Sequence, residues 1–475
     1  MGKNHGSKEP AAWSSLVLCF GVWAGLPWLG RVSGQDQVQS LGLVSGPAAG
    51  PQRNVDLGYS PAGDRYLAVW DDKRPSAFGQ ENIRGRFMGA DDDFPICEAA
   101  GEQKRPSLAP IDDGFMVFWE DRRNNSAPKG PRDIFMAKVT TGGIVQPLGG
   151  RQLSFGAADE SDVEAAGNRK GTIAVWEASG PEPGLYASRT GPTGLALDAT
   201  PFLVGRGQFS EPDVAANDDG FMIVWESFEG ARRIMGTFVK WDLGGGAQIG
   251  PEFEVGPFLD GEAEPEVIRS GGFFLVSWSY RGTDGEAATI VGRRMRTDGT
   301  SPDPLAVTFA SDVRSKDRSM LESEGCVYLL TIPAAPRDST APYVRVIQSR
   351  RICYLGVLDV GSTWDVSQRG IDDPADPAVI GGQGTNAWIA WEDNRNRPME
   401  ADEEIYAKPF TFPSFPSPAS LISSASGPPQ LRGSPLPVGD LAAWSQEGGE
   451  MAGGLVVASK SGRSWWFPAS PAPVD

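Results

Sequence analysis

A short apolar run that ends in tryptophan, usually followed by an acidic residue, recurs along most of this chain. The first five of these tryptophans are 49, 57, 49 and 53 residues apart. Self-similarity at a period of this length indicates one supersecondary unit repeated many times. It favours one closed array over the two or three domains that 475 residues would otherwise suggest. The tryptophans of the repeat are Trp70, Trp119, Trp176, Trp225, Trp278, Trp391 and Trp444.

Each unit is predicted to contain four short strands. Pro106 and Pro212 each lie 13 residues before a tryptophan, and a turn such as the Asp-Asp-Gly of residues 112–114 separates the two positions. Asp-Gly turns favour hairpins because these residues tolerate positive φ. After each tryptophan come a charged loop, an apolar pair followed by a small residue, and a fourth apolar run. The units therefore predict antiparallel sheets.

The predicted fold is an all-β propeller with eight four-stranded blades, or alternatively seven. Residues 325–331 occupy the place of a tryptophan strand whose tryptophan is lost, and counting that unit gives eight units of about 55 residues. Seven blades would need about 63 residues each. A lone sheet cannot bury both faces, whereas radial stacking covers them and protects most edges. The tryptophans are expected to pack between blades.

The first residues have the character of a secretory signal. Lys3 and Lys8 precede an apolar stretch at residues 16–29, and the small-residue site at 32–34 predicts cleavage before Gln35. The prediction is a signal peptide at residues 1–34 and a single β-propeller domain at residues 35–475. The mature protein is expected to be secreted or periplasmic, with no transmembrane span.

The net charge limits the range of binding partners, and the cysteine content limits the possible disulfides. Cleavage changes the net charge from −18 to −20 because residues 1–34 hold three basic residues and one acidic residue. A chain this acidic repels phosphate backbones, so nucleic acid is not expected as a partner. Cys326 and Cys353 fall within one unit and could pair in an oxidising compartment, with Cys97 left single. Three buried thiols are the alternative.

Two sequence resemblances extend this interpretation. Residues 70–74, 119–123 and 391–395 read WDDKR, WEDRR and WEDNR, and the last two are followed by DIF and EIY. They resemble the W-[DE]-D-x-R and D-I-[YF] repeat of secreted bacterial β-propeller proteins, most of which have no assigned activity. Residues 359–364, DVGSTW, resemble the sialidase-type Asp-box, which implies a folding turn between strands three and four and carries no catalysis.

The mature chain contains no histidine, since His5 lies within the signal. This excludes Ser-His and Cys-His nucleophilic sites, His-ligated zinc and HExxH hydrolysis. The sequence also contains no Gly-rich phosphate loop of the Walker type. Carboxylate chemistry and binding remain, and no catalytic residue is assigned.

Acid-rich loops are expected to share one face of the propeller, because the loop between strands two and three and the link into the next blade lie at the same end. Three interpretations compete for them: solvated charge with acid–arginine pairs, calcium clips and a glycosidase that uses two carboxylates. Calcium is the one cofactor considered, with Asp372, Asp373, Asp376, Asp402 and Glu403 as candidate ligands. The loops are residues 71–74, 120–123, 229–233 and 392–404, and the links are residues 159–164, 260–266 and 372–376.

The sequence favours a binding or scaffolding protein over an enzyme. We expect an extracytoplasmic monomer that recognises a protein or a glycan through its acidic loop face. The alternative is a propeller-type glycan hydrolase or lyase, similar to a sialidase. The sequence does not identify the ligand.

Overall fold

A computed structural model describes most of the chain between residues 46 and 467, with gaps. The segments that it describes are residues 46–47, 50–74, 80–125, 130–228, 232–242, 246–257, 263–281, 287–334, 345–353, 358–367, 374–382, 386–393, 403–411, 420–421, 424–425, 436–438, 441–446, 454–459 and 464–467. The predicted signal peptide lies outside these residues.

The chain divides into two compact units, and the larger, Ser45–Ser426, contains six consecutive sheets of four or more strands, of which the seven-stranded one comprises two repeat units, sheets five and six. Neighbouring strands are antiparallel. The strands of the first three sheets, in chain order, are Gln52–Ser60, Arg65–Asp72, Asn82–Phe87 and Phe94–Cys97; Gln103–Ile111, Gly114–Asp121, Asp133–Thr140 and Val145–Gln152; and Asp159–Asn168, Gly171–Ser179, Gly184–Thr190 and Phe202–Arg206.

The next four sheets follow the same plan with two variations. Two short strands pair with the third strand of sheet four, and Val307–Ser323 both ends sheet five and begins sheet six. The strands are Phe209–Ala216, Gly220–Ser227, Arg233–Lys240, Gln248–Ile249 and Phe253–Pro257; Glu266–Ser270, Phe273–Arg281, Ala288–Met295, Val307–Ser323, Cys326–Pro333, Gln348–Cys353 and Asp359–Asp365; and Pro374–Gly381, Asn386–Asp393, Glu404–Thr411 and Ser420–Leu421.

The second unit contains one four-stranded antiparallel sheet. Its strands are Leu436–Val438, Leu441–Gln446, Gly454–Ser459 and Ser464–Phe467. In the larger unit, Gly46–Pro47 also pairs with Ser424–Ala425. The described residues are all-β and contain no helix, so none of them offers an apolar helix that could cross a bilayer. The all-β prediction is confirmed.

The first strands of the seven sheets form the innermost layer of the larger unit. Each contacts the first strands of the sheets before and after it in the chain. Pro374–Gly381 of sheet seven also contacts Gln52–Ser60 of sheet one. The first strands of the larger unit therefore follow one another in cyclic order, which is the arrangement of a β-propeller.

The repeated tryptophans pack between sheets, as predicted. Each of the six with described side chains is fully buried or nearly so. Trp119 shares a cluster with Leu67 of the preceding sheet, and Trp225 shares one with Val175 of its preceding sheet. Trp70 packs in the same way against sheet seven. Burying an indole removes roughly 150–250 Å² from water, so these contacts are a large part of the cohesion between sheets.

The W-[DE]-D-x-R motif has a structural explanation. The indole Nε1 of Trp119 donates to Asp121 at 2.8 Å, and that aspartate pairs with Arg123 at 2.6 Å. Trp70 makes the same bond to Asp72 at 3.0 Å, and Asp72 accepts from Arg74. The second acid of the motif therefore joins the buried indole to the loop that follows it.

Sheet six lacks the tryptophan but keeps the fold. Cys326–Pro333 forms its second strand, as the sequence predicts for the degenerate unit. A disulfide joins Cys326 to Cys353, which lie opposite each other on adjacent strands, and Cys97 is a buried free thiol. One expectation is wrong here. The Asp-box-like segment is not a turn between strands three and four, because residues 359–365 are themselves the fourth strand.

Candidate functional site

Five of the repeat tryptophans are followed directly by an acid that reaches across to the next sheet. Glu120, Glu177 and Glu226 accept backbone N–H bonds from the following sheet at 2.9, 2.8 and 2.6 Å. Glu392 makes the same contact from sheet seven to sheet one at 2.6 Å, and Asp71 makes a longer one of 3.4 Å. We call these five residues the seam acids. A carboxylate accepting a backbone N–H is a strong hydrogen bond, so the seam acids hold neighbouring sheets together.

The amides that donate these bonds belong to residues with left-handed backbone. Their φ angles lie between 46° and 54°, and a sixth residue, Asp376, whose amide donates to Asp317, has a φ of 42°. Such angles are uncommon for residues other than glycine. At five of the six positions the pairing of the first and second strands shifts, as at a β-bulge. We call this set the axial rim, since the residues lie at equivalent places on the innermost strands. It comprises Asn54, Arg105, Asp162, Glu211, Glu264 and Asp376.

The acids of the predicted loop face are mostly buried and bonded. Asp72 and Asp93 share Arg74 at 2.6 and 2.7 Å, and Arg132 bridges Glu120 and Asp159 at 3.0 and 2.9 Å. The Arg132 bridge confirms that the loop after strand two and the link into the next sheet meet at one end. In its described part the face is therefore held by internal ion pairs, and most of the acids described there are engaged by other residues of the chain.

A second layer of carboxylates lies two residues beyond the rim on the innermost strands. Asp56, Asp213 and Glu266 each accept a backbone N–H from the next sheet, at 2.7, 2.6 and 2.7 Å. Glu164 occupies the same place in sheet three and accepts from the hydroxyl of Ser107 at 3.1 Å. All four are half-buried. We call them the inner acids.

Burial raises the pKa of these carboxyls, because the low-dielectric surroundings disfavour the charged form. The pKa of Asp56 is raised to about 6, and that of Asp213 to about 7. Among the seam acids, the pKa values of Asp71 and Glu177 are each raised to about 7. For Glu164, the negative charges of neighbouring acids add to burial, and its pKa lies well above its usual range. Many of these groups therefore hold protons near neutral pH.

Glu211 differs from the rest of the rim. Arg105 pairs with Asp162, and Glu264 lies 3.1 Å from Lys316. The carboxylate of Glu211 makes no ion pair or side-chain hydrogen bond within the described part of the chain. Its charge nevertheless contributes to raising the pKa of four other glutamates, after burial: Glu164, Glu177, Glu226 and Glu264. A half-buried acceptor without a donor, surrounded by protonatable carboxyls, is a point at which a ligand can bind.

The neighbouring seam acid is also accessible. Four of the five seam acids are buried, but Glu177 is only half-buried. Its Oε1 accepts the backbone N–H of Glu211 at 2.8 Å, and its other oxygen makes no hydrogen bond to described residues. The seam between sheets three and four therefore places two reachable glutamates side by side, and burial raises the pKa of one of them to about 7.

The calcium candidates are not assembled by the described residues. Asp372, Asp373 and Asp402 lie outside them. Glu403 pairs with Arg53 at 2.6 Å, and the backbone of Asp376 donates to Asp317 at 3.0 Å. Within the described segments no group of three or more acidic, histidine or cysteine side chains is arranged to hold a metal ion. Calcium binding stays a prediction.

Sequence reasoning missed the axial rim, although a signal was present. The prolines that marked the first strands, such as Pro106, Pro212 and Pro265, each follow a rim residue directly. Nothing in the spacing shows that the preceding residue is left-handed, because that conformation is fixed by the bulge and by an acid on another sheet.

Comparison with known proteins assigns no family. No protein-family model matches the sequence, and no curated protein matches it. Similar solved structures include the NanB sialidase of Streptococcus pneumoniae, at 9% identity over 77% of this chain and 67% of that chain, with a TM-score of 0.41. A levansucrase mutant of B. megaterium is 10% identical over 62% and 89% of the two chains, with a TM-score of 0.35.

A Bombyx mori β-fructofuranosidase is 11% identical over 78% of this chain and 87% of that chain, with a TM-score of 0.33. Similarity at this level carries no argument about activity. The function is therefore argued from the residues of this chain.

The raised pKa values predict that the protein is more stable in mild acid than in mild base. Unfolded carboxyls titrate near pH 4, whereas these folded ones keep protons up to about pH 7, so the folded state binds more protons between those values. The contribution is complete below about pH 4 and is lost as the pH rises through about 7. Urea unfolding should give a lower free energy at pH 8 than at pH 5.

The variant Asp213→Asn tests whether buried carboxyls cause this pH dependence of stability. The amide keeps an acceptor for the N–H of Val267 but cannot ionise, so the pH dependence should become shallower. Asp91→Asn, at an exposed aspartate, is the matched control and should leave the slope unchanged. A stability that rises from pH 5 to pH 8 would show that the buried carboxyls are not the dominant titrating groups.

Proposed function

We propose that this chain is an extracytoplasmic propeller that binds a glycan at its axial rim. The observation that carries the proposal is the carboxylate of Glu211, which is half-buried on the rim and has no hydrogen-bond donor or cation among the described side chains. A carboxylate that no described side chain pairs with can accept hydrogen bonds from a ligand that brings donors. Export is an expectation from residues 1–34.

The composition of the rim favours a hydroxyl-rich ligand over a basic one. Arg105 and Asn54 offer donors on two neighbouring sheets, while Asp162 and Glu211 offer acceptors on the next two sheets. Sugar hydroxyls both donate and accept, so they match such a mixed set. A basic peptide would face the exposed guanidinium of Arg105 at the same site, which lowers electrostatic complementarity.

Binding can be measured on an array of neutral, amino and acidic oligosaccharides, followed by calorimetry with the best probe. Glu211→Gln should weaken binding about tenfold because it removes a charged hydrogen-bond acceptor. Asp219→Asn is the matched control, since Asp219 is exposed at a turn at the other end of sheet four. Equal losses for the two variants, or no binding to any oligosaccharide, would contradict a glycan site at the rim.

Glycoside hydrolysis is a second candidate, favoured by the pair at the seam between sheets three and four. Glycosidases use one protonated and one ionised carboxyl. Burial raises the pKa of Glu177 to about 7, so it can act as the acid that protonates a leaving oxygen, with Glu211 as the second carboxyl of the pair. The proton passes from the carboxyl of Glu177 to the departing alcohol, while Glu211 takes a proton from the attacking water, whose hydroxyl adds to the sugar.

Hydrolysis is tested with oligosaccharides and aryl glycosides. We expect Glu177→Gln to abolish cleavage of oligosaccharides but to spare part of the activity on aryl glycosides with acidic leaving groups, which need little protonation. Glu211→Gln should abolish both. If the natural chain cleaves none of these substrates while it still binds glycans, the first function stands and the second is wrong.

We also propose that the ring closes with seven sheets, the alternative blade count of the sequence analysis. The support is that Glu392 binds the amide of Asn54 at 2.6 Å, the same contact that joins other neighbouring sheets. Trp70 packs against Ala390 and Ile405 of sheet seven, as other indoles pack against their preceding sheets.

Truncation tests the blade count. A chain that lacks residues 427–475 should fold and keep its urea midpoint, since the seam between sheets seven and one is retained. A chain that also lacks residues 374–426 loses Glu392 and should not fold. Tryptophan fluorescence can follow both. An unfolded first truncation would favour a ring that needs the eighth unit.

A further inference from the structure

A small cavity on sheet six lies away from the axial rim. It holds about 120 Å³ and is lined by Tyr328, Arg351, Gly361, Ser362 and Trp364. The rings of Tyr328 and Trp364 stand almost perpendicular, with centroids 6.0 Å apart and an interplanar angle of 77°. Two perpendicular aromatic rings form a corner that can hold a flat ligand. We call this cavity the sheet-six notch.

Strand register places these side chains on one face. Tyr328 lies opposite Arg351, and Trp364 lies opposite Ser349, two residues along the same strand as Arg351. Side chains two residues apart share a face of a sheet. The pairing between the third and fourth strands shifts between Arg350 and Ile352, which leaves Gly361 and Ser362 in an irregular stretch beside Arg351. The irregularity opens the notch.

The disulfide fixes the two strands that carry the notch. Cys326 and Cys353 are directly paired, and the Tyr328–Arg351 pair follows two residues along on the same face. A covalent link at this point holds the register of the strands, so the aromatic ring and the guanidinium keep their relative positions without a ligand. Sites that are held in place in this way lose less entropy on binding.

Arg351 carries a positive charge that no described acid pairs with. Its side chain is exposed and makes no ion pair or hydrogen bond to a described residue. By contrast, four other arginines among the described residues form ion pairs with acids: Arg74, Arg84, Arg123 and Arg132. A planar guanidinium beside aromatic rings is suited to a carboxylate, which it can bind through two parallel N–H bonds.

We propose that the sheet-six notch is a binding site for a small carboxylate attached to a ring. The ring lies against Trp364 and Tyr328, the carboxylate pairs with Arg351, and the exposed hydroxyl of Ser362 offers one further hydrogen bond. The cavity is too small for an oligosaccharide, so the ligand is a single ring or one ring at the end of a chain. The ring can be a sugar or an aromatic group, since both present a flat apolar face.

This site is separate from the axial rim and does not depend on the proposed glycan function. The described residues that line it belong to the second, third and fourth strands of sheet six. Loss of rim binding in Glu211→Gln would therefore leave the notch unaffected.

The test is ligand-observed NMR on the full chain with four probes: glucuronate, glucose, benzoate and benzamide. Comparing the charged with the neutral probes tests the need for a carboxylate, and comparing the sugars with the aromatic compounds tests the type of ring. We expect saturation transfer to glucuronate or benzoate, and much less to its neutral counterpart. Transfer to glucuronate alone would identify a sugar site, and transfer to benzoate alone an aromatic one. Equal transfer to charged and neutral probes, or none to any, would overturn the proposal.

Variants assign the binding to the notch. Arg351→Ala should weaken binding of the charged probe about tenfold, because it removes a charged hydrogen-bond donor. Arg351→Lys should restore part of the affinity, since lysine keeps the charge without the planar fork. Arg206→Ala, at an exposed arginine of sheet three, is the matched control and should bind as the natural chain does. Unchanged binding in Arg351→Ala, or an equal loss in the control, would overturn the proposal.

Discussion

The contact between sheets is the interaction on which the rest of this structure depends. Each buried indole packs against the preceding sheet, and in five of the six cases the acid that follows it accepts a backbone N–H from the next sheet. One dipeptide therefore contacts both neighbours of its own sheet. Sheets of four strands cannot cover their own faces, so this double contact is what makes the separate repeats one body.

The contacts between sheets also determine which acidic side chains are engaged within the protein and which can reach a ligand. The chain is strongly acidic, yet Asp72, Asp121 and Glu120 are buried in bonds to indoles, arginines and amides. Among the described side chains, Glu211 has no partner and Glu177 is only half-buried. The proposed glycan site therefore depends on a few residues at one seam more than on the net charge of the chain.

The sequence predicted the all-β fold, the hairpins and the degenerate sixth unit because these depend on local period and turn chemistry. Cys326 and Cys353 could be proposed as a pair because their unit was recognised. The left-handed residues of the rim and the burial of the loop acids could not be predicted, because their partners lie on other sheets. The prediction of a turn at the Asp-box-like segment was wrong for a related reason. Residues 359–365 pair with the third strand along their length, and that pairing overrides the turn chemistry of the motif.

Hydrogen exchange at the amide of Asn54 tests the central claim most directly, since Glu392 is its partner across the seam between sheets seven and one. Mass spectrometry of a peptide that covers Asn54 should show slow exchange in the natural chain. In Glu392→Ala the exchange should become much faster, while the amide of Glu211, held by Glu177, stays slow. Fast exchange at Asn54 in the natural chain, or no change in the variant, would contradict a seam held by a carboxylate and an amide.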